Sequence, residues 1–140
     1  GIVIADDTGL FVDALNGEPG IYSSRYAGEH ASYAENNKLL LNKLKDVPKE
    51  KRTAYFKTII AVILEDGSRL TAEGICRGYI AFQERGKRGF GYDPLFVVEG
   101  TDKTFSEMSE EEKNKISHRD KALKNLKDKL EEIIEDFGDE

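Results

Sequence analysis

The stretch from Thr53 to Glu65 constrains the fold more than any other. Phe56, Ile60, Val62 and Leu64 fall on one face of an extended chain, and Tyr55, Ile59, Ala61 and Ile63 on the other. Apolar residues on both faces predict a central strand covered on both sides. Asp66-Gly67 follows, a dipeptide that supplies the positive φ angles of a tight hairpin turn, and a return strand is expected from about Ser68 to Phe82. Gly74 and Gly78 within it suggest a bend or a bulge.

Other elements arrange themselves around this hairpin. Gly1 to Ala5 reads as a short buried strand that stops at Asp6-Asp7, and Leu10 to Leu15 as another short strand. Asn16 to Gly20 is turn-rich. A helix is expected from about Ala31 to Leu44, ended by Val47-Pro48, and a further short strand over Leu95 to Val98. Ser109 to Glu112 fits a capping box, and Ser117 opens a helix whose stripe is Leu123, Leu126, Leu130, Ile133, Ile134 and Phe137. The fold class expected is α/β, a mixed, twisted central sheet with flanking helices, in a single domain spanning residues 1–140.

Composition narrows the function. With 39% hydrophobic and 34% charged residues in 140, the chain reads as a globular protein. Its formal net charge of −6 argues against binding a nucleic-acid polymer, which calls for a basic face. The only cysteine, Cys76, leaves no disulfide framework and is expected in the core. No apolar run is long enough for a membrane helix, and a cytoplasmic location is expected.

Three segments carry the candidate chemistry. Asp6 and Asp7 follow an apolar run; such acids often cap a turn, but they also suit Mg²⁺, which favours hard oxygen ligands. Because neighbours on a strand point to opposite faces, the two acids should differ in role. Gly89-Phe90-Gly91-Tyr92-Asp93-Pro94 combines backbone freedom with two aromatic rings suited to stacking a base. Nearby Arg85, Lys87 and Arg88 are solvated hairpin charges or screens for phosphates. His118 and Arg119 put cations in the first turn of a helix, where the macrodipole already disfavours them, and so suggest an anion or carbonyl site that Lys113 can also face. Tyr22 and Tyr26 read as packing or interface residues, and Asp13, Glu73 and His30 as surface or structural residues.

Taken together, Ala5-Asp6-Asp7-Thr8-Gly9-Leu10, Pro19 to Tyr26, Gly89 to Pro94 and Lys113 to Arg119 resemble the inosine triphosphate pyrophosphatase family, in order and across nearly the whole chain. The resemblance implies Mg²⁺-dependent hydrolysis of inosine, deoxyinosine and xanthosine triphosphates to the monophosphate and pyrophosphate, by a homodimer. It implies that Asp7 is the metal-associated acid that activates water; Asp6 stays a second candidate metal ligand from its place beside Asp7. Thr8 stands where the family usually has serine. Phe90, Gly91, Tyr92 and Asp93 then match the base-binding loop, and Lys113, His118 and Arg119 further nucleotide contacts. Family members also carry a strand, a phosphate loop and an acidic stretch ahead of the Asp-Asp segment. Their absence from this sequence leads to the expectation of an N-terminally truncated, associating and inactive polypeptide. A Maf-like pyrophosphatase and a noncatalytic nucleotide-binding or dimerisation module are the alternatives.

Overall fold

A computed structural model describes the backbone of residues 1–138 and the side chains of residues 1–133. Strands β1 (Val3–Val12), β2 (Thr53–Ile63), β3 (Arg69–Ile80) and β4 (Phe96–Val98) form one sheet in that spatial order. Helices α1 (Tyr33–Lys43), α2 (Glu110–Ile116) and α3 (His118–Gly138) lie outside it. The α/β class is therefore as expected, while every pairing in the described sheet is antiparallel where a mixed sheet was expected. Each strand pairs with its neighbour in sequence, and the connections return the chain alongside the strand it has just left.

The hairpin forms where the sequence puts it. Gly67 takes φ of +86°, and the Asp66 carboxylate accepts from the Ser68 amide at 2.8 Å. The register of β2 against β3 runs unbroken from Thr53↔Tyr79 to Ile63↔Arg69, so Gly74 and Gly78 create no bulge. They allow close approach instead. A Cβ on Gly74 would lie 2.0 Å from the His118 carbonyl oxygen, and one on Gly78 would lie 2.0 Å from that of Val97.

Three expectations need correction. Residues 1–5 and 10–15 do not form two short strands: β1 runs straight through Asp6-Asp7, which the β2 ladder holds opposite Ile60 and Ile59. Its start is not buried, since β1 lies at the sheet edge and Val3 is 56% exposed. Nor is β2 covered on both faces. Its even-numbered side chains are buried, but Ile59 on the odd face is 38% exposed, and part of that face is covered by Tyr55 stacked on Phe11.

Helix α3 approaches the sheet through Ala122 and Leu126, which join Ile60, Val62 and Ala72 in a small core. The expected stripe is thus rotated. Leu123 is half exposed and Leu130 more than a third exposed, and the side chains of Ile134 and Phe137 lie outside the described residues. The reason is a polar ladder: Lys121, Asn125 and Lys129, four residues apart, donate to the carbonyls of Ile75, Glu73 and Thr71 along the β3 edge. Backbone acceptors left open by the short β4 strand are met by a helix face.

The larger core joins Leu10, Leu40, Phe56, Phe96 and Phe105 beneath the loops that carry the site. Cys76 lies within it, as expected, and burial lifts its thiol pKa to about 11. Arg52, 1% exposed, clamps the far end by donating to the carbonyls of Leu44, Val47, Ile80 and Ala81. No described helix is long and apolar enough to cross a membrane.

Candidate active site

The even face of the sheet carries Asp6, Thr8 and Leu10 of β1 opposite Ile60, Thr58 and Phe56 of β2. The junction of α2 and α3 crosses this face, and the 89–93 loop faces the same space. Between them lies a cavity of about 450 Å³ lined by Thr8, Phe90, Gly91, Tyr92, Asp93, Lys113, His118 and Arg119, among others. Eight of the residues singled out in the sequence thus converge, although more than 100 positions separate Thr8 from His118.

The loop is built around Asp93, which is 5% exposed. Its Oδ2 accepts from Lys113 Nζ at 2.8 Å and from the Phe90 amide at 3.2 Å. A Cβ on Gly89 would sit 2.2 Å from that same oxygen, and φ there is +80°, so only glycine lets the chain pass so near the carboxylate. Lys113 Nζ also lies 5.4 Å from the centroid of the Phe90 ring, a cation–π contact. Phe90 is 60% exposed and presents an open ring at the mouth. Tyr92 departs from expectation: it offers no stacking surface, because it is buried and its hydroxyl donates to the Ser23 carbonyl at 2.6 Å. It anchors the loop, and burial raises its phenol pKa.

At the helix junction, Ser117 ends α2 and caps α3, its Oγ accepting from the Asp120 amide at 3.2 Å. His118 then stacks on Phe56, with centroids 4.6 Å apart and planes 18° apart, and also touches Phe105. Burial, reinforced by the charges of Lys113, Arg119 and Lys121, pushes its pKa down to about 4. The expected pair of cations is therefore one cation and one neutral imidazole at pH 7, and the imidazole Nδ1 is buried without a hydrogen-bond partner. Arg119 is half exposed and pairs with Asp6 Oδ2 at 3.1 Å.

The two acids separate as strand alternation requires. Asp6 shares the cavity face with Thr8, whose hydroxyl lies 2.8 Å from that of Thr58. Asp7 is exposed on the opposite face and has no ion pair among the described residues. No group of three or more His, Cys, Asp or Glu that could hold a metal occurs among the described residues. Arg85 is paired with Glu107 at 3.0 Å and Arg88 donates to the Met108 carbonyl, so neither lines the cavity, nor does Lys87.

Some lining residues escaped sequence reasoning. Tyr33, at the start of α1, sets its ring 6.4 Å from that of Phe90. Ser23 Oγ accepts from the Leu10 amide, and Asn36 bridges the Ala27 amide and the Ser24 carbonyl. The available signal was Asn36 itself, four residues before the fully buried Leu40 and so on the helix face that burial favours for apolar side chains.

Comparison with known proteins gives a consistent result. The chain is 57% identical over 136 residues to the dITP/XTP pyrophosphatase of Caldanaerobacter subterraneus subsp. tengcongensis, covering 97% of this chain and 68% of that protein. Against the dITP/XTP pyrophosphatase of Bacillus subtilis the identity is 51%, over 93% of this chain and 66% of the relative. The Ham1 protein of Staphylococcus aureus superposes with a TM-score of 0.88 at 48% identity, covering 93% of this chain and 67% of that structure. A HAM1 protein from Coxiella burnetii gives 0.87 at 43% identity, over 94% and 68%. The Ham1 family pattern matches residues 1–129, and this chain belongs to that family.

Proposed function

We propose that this protein hydrolyses deaminated purine nucleoside triphosphates (dITP, ITP, XTP) to the monophosphate and pyrophosphate, with the base seated between the 89–93 loop and the α2–α3 junction. The observation that carries this reading is the convergence of Phe90, Asp93, Lys113, His118 and Arg119 on one cavity beside Thr8. Its volume of about 450 Å³ lies within the usual range for small-molecule sites. The dITP/XTP pyrophosphatase relatives at 57% and 51% identity support the same substrate class.

Each residue then has a task. Phe90 gives the purine a ring to stack on, and Lys113 holds that ring from its other partners at Asp93. Arg119 donates to the 6-oxo group, which accepts, whereas a 6-amino group presents its own donors and leaves the site unsatisfied. Neutral His118 takes part as a hydrogen-bonding wall rather than as a charge. Thr8 Oγ1 lines the cavity where the phosphates would lie, and Asp7, exposed at the sheet edge on the other face of β1, is the acid proposed to take the proton from water.

The cofactor proposed is Mg²⁺, which typically takes one or two carboxylates and leaves its other positions to water and substrate phosphates. Asp7 is the first candidate to hold the ion and Asp6 the second; they point to opposite faces of β1, so each would offer one carboxylate on its own face. When bound, the ion would neutralise phosphate charge and acidify its water. A homodimer is the proposed assembly, to be checked by light scattering.

The functional test is pyrophosphate release from dITP and XTP with Mg²⁺, with ATP as the control. Release that favours the deaminated nucleotides supports the reading. Release of orthophosphate, or equal rates on ATP, contradicts it. Tight nucleotide binding without release would support the noncatalytic binding module instead.

A further inference from the structure

We propose that Asn37 is a positioning residue for base recognition, fixing the Gly91 peptide and through it the Phe90 ring. This rests on the reading that the cavity takes a purine. Asn37 belongs to the first half of α1 and is 3% exposed, yet it is not among the residues that line the cavity. Its Nδ2 donates to the Gly91 carbonyl at 3.0 Å and to Glu84 Oε1 at 3.0 Å. Both partners are acceptors, so the amide nitrogen must face them, and Oδ1 is left buried without a partner. A buried carboxamide with an unmet acceptor carries a desolvation penalty, so the contact it secures is the feature that needs explaining.

That contact adds a hold at Gly91, which the loop's other bonds leave out: Asp93 accepts from the Phe90 amide through Oδ2 and donates its own amide to the Phe90 carbonyl. Tyr92 is tied to Ser23 and Asp93 to Lys113, but Gly91 between Phe90 and Tyr92 is only half-buried, with φ of +60° and open space around a would-be Cβ. No packing fixes the Gly91 peptide. The Asn37 amide does so, completing the hold that Asp93 exerts on the backbone of the stacking ring.

The test pairs Asn37→Leu with Asn37→Asp. In the second, an introduced carboxylate faces the Gly91 carbonyl and Glu84, with the Lys113–Asp93 pair across the loop; the neighbouring acid raises its pKa, and once protonated it regains one donor. Affinity for inosine monophosphate, read by calorimetry, should fall about tenfold in both variants at pH 8. At pH 5 the gap should close to within about threefold for Asn37→Asp and persist for Asn37→Leu. The kcat on saturating dITP should stay within about twofold. Amide exchange at Phe90 to Asp93 should quicken in both at pH 8 while α1 is unchanged. Unchanged affinity, a pH-independent defect in Asn37→Asp, a kcat loss as large as the affinity loss, or unchanged loop exchange each overturns the proposal. If the unmutated protein binds no inosine monophosphate, the purine reading itself fails, and the exchange arm still decides whether Asn37 anchors the loop.

Discussion

The two ends of the candidate site are built differently. At the base end, Asp93, Tyr92, His118 and Asn37 are each less than a tenth exposed, and their contacts tie together α1, the 89–93 loop and the α2–α3 junction. At the acid end, Asp6 and Asp7 sit on an exposed edge strand, and the one described ion pair joins Asp6 to a half-exposed Arg119. Such a pair is worth about 1 kcal/mol at most, whereas the Lys113–Asp93 pair lies largely out of solvent and cannot lose one partner cheaply. The end proposed to recognise the base is thus the pre-organised one. The acids are held by the β-ladder and that one pair, a difference expected where binding needs shape and hydrolysis needs access for water and metal.

The largest effect expected is at the acid end. Asp7→Asn should lower kcat about 10³-fold, as loss of a proton-accepting carboxylate does, while dITP affinity changes little. A raised KM with normal kcat would move Asp7 into binding and erase the contrast between the ends.

Next comes the dryness of the base end, read as stability against pH. His118 has a folded pKa of about 4, below its ordinary value of 6.5, so the unfolded chain binds more protons between those values. Its contribution is fully present above about pH 6.5 and is lost as pH falls toward 4, by an amount on the order of 3 kcal/mol. Denaturant unfolding from pH 7 to pH 4 should show this slope, and His118→Phe should flatten it. An equal slope in both would mean that the imidazole is solvated.

Smaller is the effect of Gly89→Ala, whose methyl would meet Asp93 Oδ2. Displacing that carboxylate by about 1 Å should weaken nucleotide binding by tens of fold, with kcat changed less. Smallest is Arg119→Ala, expected to reduce the preference for dITP over dATP about tenfold in kcat/KM. Unchanged selectivity would shift discrimination to the Phe90–Asp93 loop.

Much of this was legible in the sequence because it is local. Asp66-Gly67 needs only its own backbone preferences to form a turn, and Ser109 and Glu112 need only each other to cap α2, which they do. The glycine-spaced loop and the residues that open α3 announced themselves by conflict with ordinary use, such as aromatics in a glycine turn and basic side chains at a helix start. What stayed hidden depends on partners distant in sequence. The neutrality of His118 comes from burial against Phe56 and Phe105, the anchoring role of Tyr92 from Ser23, and the exposed face of α3 from carbonyls on β3. Periodicity places a side chain on a face without saying what that face meets.

The central claim is that the cavity between the 89–93 loop and the α2–α3 junction, Arg119 included, distinguishes an oxygen from an amino group at the purine 6-position. Calorimetric titration with inosine monophosphate and adenosine monophosphate tests it most directly, since both lack the β- and γ-phosphates and carry the same single phosphate. The account predicts that the inosine nucleotide binds about 10²-fold more tightly, the scale set by leaving buried hydrogen-bonding groups unpaired. Equal affinity for the two would contradict it.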